Sequence, residues 1–176
     1  LEGIDHLMFV LALILIIPNM MMLIQTIKAF TLAHSVSLAL ATLGIVNMPG
    51  PPTEPVIALS IMVLAVTLLR SGEGNPTLTA QRPWIVALIF GLVHGLGFAG
   101  ALAEVGLPER EIPLALLMFN VGVETGQLLF VGFVLVATAV LARLPVKWPE
   151  QSWKLVPYAI GTVSTFWTLE RIEAFV

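Results

Sequence analysis

The chain has no cysteine, which excludes a disulfide framework, a thiolate metal site and thiol redox chemistry. Any metal ligand must therefore be His, carboxylate, Met or backbone carbonyl. Charge is also scarce: Asp, Glu, Lys and Arg make up 11% of 176 residues, against about 25% in a soluble domain. The eight Lys and Arg form no basic run and the formal net charge is −3, so no nucleic-acid partner is expected. Hydrocarbon takes the place of charge. Hydrophobic residues reach 58% and the mean hydropathy is +0.99, the composition of an integral membrane protein surrounded by lipid.

Turn chemistry cuts the apolar sequence into six expected helices, at 2–17, 21–46, 55–70, 84–105, 112–143 and 153–172. The breaks are Pro18-Asn19, the Pro- and Gly-rich stretch 47–52, the polar stretch 71–83, Gly106-Leu107-Pro108, and 144–152. The expected fold is all-α, a transmembrane bundle forming one domain over 1–176. Only twelve residues, His6 to Ile17, run up to the Pro18 break, about 18 Å of helix and little more than half of a hydrocarbon core about 30 Å thick. The first helix is therefore expected to start before Leu1, which would set Asp5 and His6 near mid-depth. Lys28, Arg70, Arg82, Arg143, Lys147 and Lys154 fall on one side of such a bundle, and Arg110 and Arg171 on the other. The positive-inside rule puts the first group in the cytoplasm and both termini outside. The outer rim would then carry Glu54, Glu104, Glu109, Glu111, Glu170 and Glu173, an acidic field that concentrates cations.

Against this background three histidines stand out: His6 beside Asp5, His34 in FTLAHS and His94 in GLVHGLGFAG, joined by Glu124 in FNVGVETGQ. A charged or strongly polar side chain at mid-membrane costs about 2.5–3.5 kcal/mol even on the lenient insertion scale, so each needs a reason to be there. His34 lies about 18–20 Å into its helix, His94 about 15 Å and Glu124 about 17 Å, all near one level. Thr31, His34, Ser35 and Thr42 share helical spacing, as do Asn120, Glu124 and Gln127, so polar stripes face something other than lipid. Thr31, Ser35, Asn120 and Gln127 are candidates for lining a path. His94 lies within Gly91-xxx-Gly95 and Glu124 within Gly122-xxx-Gly126, small-residue patterns that let membrane helices approach closely. The three consecutive methionines from Met20 read as apolar filler rather than a Cu(I) site. Ser60, Thr67, Thr162, Thr165 and Thr168 are cheap to bury and are expected to bond backbone carbonyls.

At these residues the chain resembles the HupE/UreJ family of hydrogenase and urease accessory membrane proteins. The matching stretches are GIDHLMFVLALIL (3–15), AFTLAHSVSLALATLG (29–44), IALSI (57–61), FGLVHGLGFAGAL (90–102), GLP (106–108) and FNVGVETGQL (119–128). The resemblance implies a multi-pass protein of the bacterial inner membrane, carrying nickel or cobalt for metalloenzyme maturation. It maps the metal path onto Asp5, His6, His34, His94 and Glu124. Where that branch often has an acidic residue in its third helix, this chain has Thr67.

The leading expectation is transport of a divalent ion, Ni or else Co or Zn, as cargo, with His and carboxylate groups replacing hydration water and no organic cofactor. A second reading is an intramembrane metallohydrolase with Glu124 as general base, weakened by the lack of an HExxH pairing on one helix. A third is a non-transporting subunit or assembly factor, forming a homo-oligomer or membrane complex through its GxxxG faces.

Overall fold

The computed structural model describes residues 2–46, 50–75, 77–104, 111–145 and 149–174, with side chains for all of these except 2, 50, 51 and 99–104. The elements are α1 (Glu2–Ile16), α2 (Met20–Thr42), α3 (Gly50–Gly72), a single turn α4 (Leu78–Gln81), α5 (Pro83–Glu104), α6 (Ile112–Arg143) and α7 (Leu155–Glu173). No strand occurs among the described residues, so the fold is an all-α bundle. The expected turns at 47–49 and 106–108, and Glu109, Arg110 and Lys147, lie outside the described residues. Glu104 is described as backbone only.

Local chemistry explains where helix ends depart from expectation. α2 begins at Met20 because the Asn19 side chain caps it, accepting from the Met22 amide at 3.0 Å. It stops at Thr42 and not at Val46 because Gly44 turns left-handed at φ 71° and the Ile45 amide folds back onto Leu40 O. α3 starts at Gly50, earlier than expected. Pro51 and Pro52 sit in its first turn, where the N–H that proline lacks would have had no intrahelical partner. α4 interrupts a stretch expected to be loop, with Thr77 accepting from the Ala80 amide at its start.

By length and composition, Met20–Thr42, Pro52–Gly72 and Ile112–Arg143 can cross a membrane, while Gly3–Ile16 and Pro83–Phe98 are apolar but shorter. α7 falls outside that group, its apolar residues diluted by Thr162, Ser164, Thr165 and Thr168. The hydroxyls behave as expected: Ser60, Thr67, Thr165 and Thr168 donate to carbonyls three or four residues earlier on their own helices.

The tightest pairings are α2 against α5 and α3 against α7, with α1 touching α2, α3, α6 and α7. Phe9, Val10, Leu13 and Ile16 of α1 are buried in one core with Leu23, Ile27, Ile61, Leu64, Leu68 and Ile160. α1 is thus a central helix, and its Asp5 and His6 are buried at one end of the stripe that builds the core. The α2–α5 approach depends on Gly91 and Gly95. A Cβ on Gly91 would overlap Phe30 O, and one on Gly95 would overlap Ser37 Oγ and His34 O. The second small-residue pattern differs, since Cβ atoms on Gly122 and Gly126 would meet nothing within 4 Å.

Gly95→Ala should lower thermal stability in detergent by about 1–3 kcal/mol through overpacking against α2. Gly126→Ala should cause no loss. Equal melting temperatures for the two variants would remove the close α2–α5 approach as a stabilising feature.

Candidate metal centre

Each histidine arrives with an aromatic residue at helical spacing. Phe9 lies three residues after His6, Phe30 four before His34, and Phe90 and Phe98 four to either side of His94. Folding interleaves the two sets. The His6 ring sits between the other two imidazoles, its centroid 5.3 Å from that of His34 and 5.2 Å from that of His94. Phe98 is edge-on to His6 at 4.8 Å, Phe30 stacks on His34 at 6.0 Å, and Phe30 also meets His94 at 5.2 Å. These phenylalanines wall off the cluster. They were not singled out from sequence, although the i±3 and i±4 spacing from each histidine was there to read.

Burial is nearly complete, with His34 and His94 at 0% exposure and His6 at 5%. His94 Nδ1 lies 2.8 Å from Phe90 O. A carbonyl can only accept, so in a neutral ring Nδ1 carries the proton and Nε2 keeps its lone pair. Neither Nε2 of His94 nor either ring nitrogen of His34 has a hydrogen-bond partner among the described residues. Leaving such a group unmatched in the interior costs about 1–3 kcal/mol, so three in one cluster is a large local expense.

The other predicted residues divide. Asp5 is buried at 2% exposure, but its Oδ2 accepts from Arg171 Nη2 at 2.7 Å, while Oδ1 has no partner among the described residues. Arg171 also donates to Glu54 O at 3.1 Å, so α7 is tied to α1 and to α3 by one side chain. This pair sets Asp5 level with the first turns of α3 and the last turn of α7, towards the helix ends. Arg171 had been read from sequence only as a rim charge, because nothing along the chain links position 171 to position 5. Glu124 is half-buried on α6, and among the described residues its carboxylate forms no ion pair. Thr31 Oγ1 donates to Gln127 Oε1 at 3.3 Å, joining α2 to α6 next to the histidines, and Gln127 Nε2 is left over. Ser35 and Asn120 bond carbonyls of their own helices, Thr31 O at 2.7 Å and Leu116 O at 2.8 Å.

Among the described residues no group of three His, Asp or Glu is arranged to hold a metal ion as it stands. The imidazoles meet edge to face, at interplanar angles of 87° and 67°. Beside them a groove of about 620 Å³ opens between α1, α5 and α6, lined by His6, Leu7, Phe98, Phe119, Gly122 and Gln127 among others. Its lining is mostly apolar, and Gly122 and Gly126 leave it wide.

Nitrogen NMR of the His94 ring should show the Nδ1–H tautomer in lipid, with Nε2 unprotonated. A proton on Nε2 would mean that the Phe90 carbonyl does not orient the ring.

A family model described as HupE / UreJ protein matches residues 1–171. No curated protein and no solved structure matches the chain.

Proposed function

The chain belongs to the HupE/UreJ family, and from that membership together with the histidine cluster we propose that it carries a divalent metal ion, Ni²⁺ or Co²⁺, across the bacterial inner membrane. One observation supports this most directly: three buried imidazoles meet at His6, with unmatched nitrogens on both neighbours. Two rings sharing an ion through metal–nitrogen bonds of about 2.0–2.1 Å stand about 5 Å apart, centre to centre. His6 already keeps that separation from His34 and from His94.

The Phe90 carbonyl behind His94 is the kind of outer partner that fixes a ligating imidazole and raises its basicity. His6, shared between two neighbours, lets an ion pass from one pair of ligands to the next, and transport needs such weak, multiple binding for release. Asp5 and Glu124 supply negative charge on the way in and out. In this reading the chain spans the membrane repeatedly with both termini on the periplasmic side. The ion approaches from the acidic rim that holds Glu54, Glu111, Glu170 and Glu173.

The groove beside His6 favours a second reading, an intramembrane metallohydrolase whose lipid-like substrate reaches the histidines sideways. Tightly held, stoichiometric metal in the purified protein would select it. Weak binding with net flux selects transport.

Cells expressing His94→Ala should lose Ni²⁺ accumulation by tenfold or more at unchanged protein level, and Glu124→Gln should lose it as well. Uptake at the wild-type rate in both variants would refute the transport reading.

A further inference from the structure

Of the described basic side chains, Arg171 is the one that reaches deeply into the bundle: its side chain is 12% exposed and that of its partner Asp5 is 2% exposed. Two more groups hold the guanidinium, Glu54 O at 3.1 Å and the Trp167 ring at 5.7 Å, and neither carries charge. Asp5 is therefore the carboxylate that balances Arg171. It is also the neighbour of His6, the ring at the centre of the imidazole cluster. Only Oδ2 of that carboxylate is taken, and Oδ1 is buried without a partner among the described residues.

We propose that Arg171 is a tethered counter-cation, which neutralises Asp5 in the ion-free protein and which a divalent ion entering the histidine cluster must displace. The proposal rests on the metal-transport reading above. Asp5 faces α7 while His6 faces α2 and α5. Two positive charges arriving at His6 would therefore act on the Asp5–Arg171 pair through space, attracting the carboxylate and repelling the guanidinium, in surroundings too apolar to screen them. Repulsion then has one outlet. Arg171 is two residues from the end of α7, on the rim where Glu54, Glu170 and Glu173 are exposed, and a released guanidinium can be received there. The site thus holds its ion less tightly than three imidazoles and a free aspartate would, which suits a cargo that must leave again. Arg171 acts through Asp5 and is a positioning residue, not a ligand.

Uptake of Ni²⁺, Co²⁺ and Zn²⁺ into proteoliposomes tests this. Arg171→Gln should lower the half-saturating ion concentration about tenfold, in line with removing a like charge near the site, and should slow the maximal rate. Arg171→Lys, which keeps the charge, should stay near wild type. The charge-swapped double variant Asp5→Arg with Arg171→Asp should fold but not recover uptake. If Arg171 only pins helices together, Arg171→Gln will lower protein yield and leave KM unchanged, or the swap will restore uptake; either result overturns the proposal. Should Arg171→Gln fail to fold, the wild-type protein gives an independent reading. Modification of Arg171 by phenylglyoxal should accelerate several-fold when Zn²⁺ is added, and an unchanged rate would equally overturn it. His94→Ala in the same assay separates the two ideas. Loss of uptake there with unchanged KM in Arg171→Gln removes the counter-cation and keeps the histidine site, whereas normal uptake in His94→Ala removes both.

Discussion

The close approach of α2 and α5 is the constraint from which the rest of the site follows. Gly91 and Gly95 present bare backbone to the stretch of α2 between Phe30 and Ser37, and His34 and His94 lie within that contact. An alanine at position 95 would push His34 O away, and with it the turn that carries the imidazole. His6 can reach both rings only while they are held at one level. Small residues at this interface are therefore part of the site, although they offer no ligand atom.

The imidazole cluster is expensive to build. Several nitrogens with lone pairs or protons are buried and unmatched, each at a cost of about 1–3 kcal/mol, in a class of molecule whose whole stability is often only about 5–15 kcal/mol. Packing offsets part of that. Phe9, Phe30 and Phe98 lie against the rings in tilted, stacked and edge geometries, which contribute about 0.5–1.5 kcal/mol per pair beyond burial. His34 and His94 are fully buried, so a charge entering between them is felt strongly. Exchange of a cation's hydration shell for imidazole nitrogen is the chemistry we propose for the cluster.

Charge is handled in a different way from what spacing alone suggests. Asp5 looks in sequence like a fourth ligand beside His6, yet successive helix positions point about 100° apart, and in the fold the two side chains serve different neighbours. His6 faces α2 and α5, while Asp5 faces α3 and α7 and is balanced by Arg171. Breaking a buried pair of this kind by deleting one partner typically costs about 3–5 kcal/mol, so the pair fastens the last helix. Glu124 is half-buried on the long apolar helix with the smallest share of buried residues, and among the described residues its carboxylate forms no ion pair.

By itself the sequence determined the helical class, the number of long helices and most of their limits, because apolar runs, Asn19, Gly44 and the prolines act through neighbours a few residues away. It also determined which residues were unusual enough to matter, since a histidine in hydrocarbon is costly wherever the chain puts it. The family followed from the same stretches, around Asp5-His6, His34, His94 and Glu124. Two features were legible and passed over: the phenylalanines at helical spacing from each histidine, and the proline-initiated start of α3. Only tertiary structure decided that the three imidazoles meet at His6, that one GxxxG pattern is filled and the other open, and that Arg171 balances Asp5. Those facts depend on pairings between segments up to 166 residues apart, and no local propensity encodes which helix faces which.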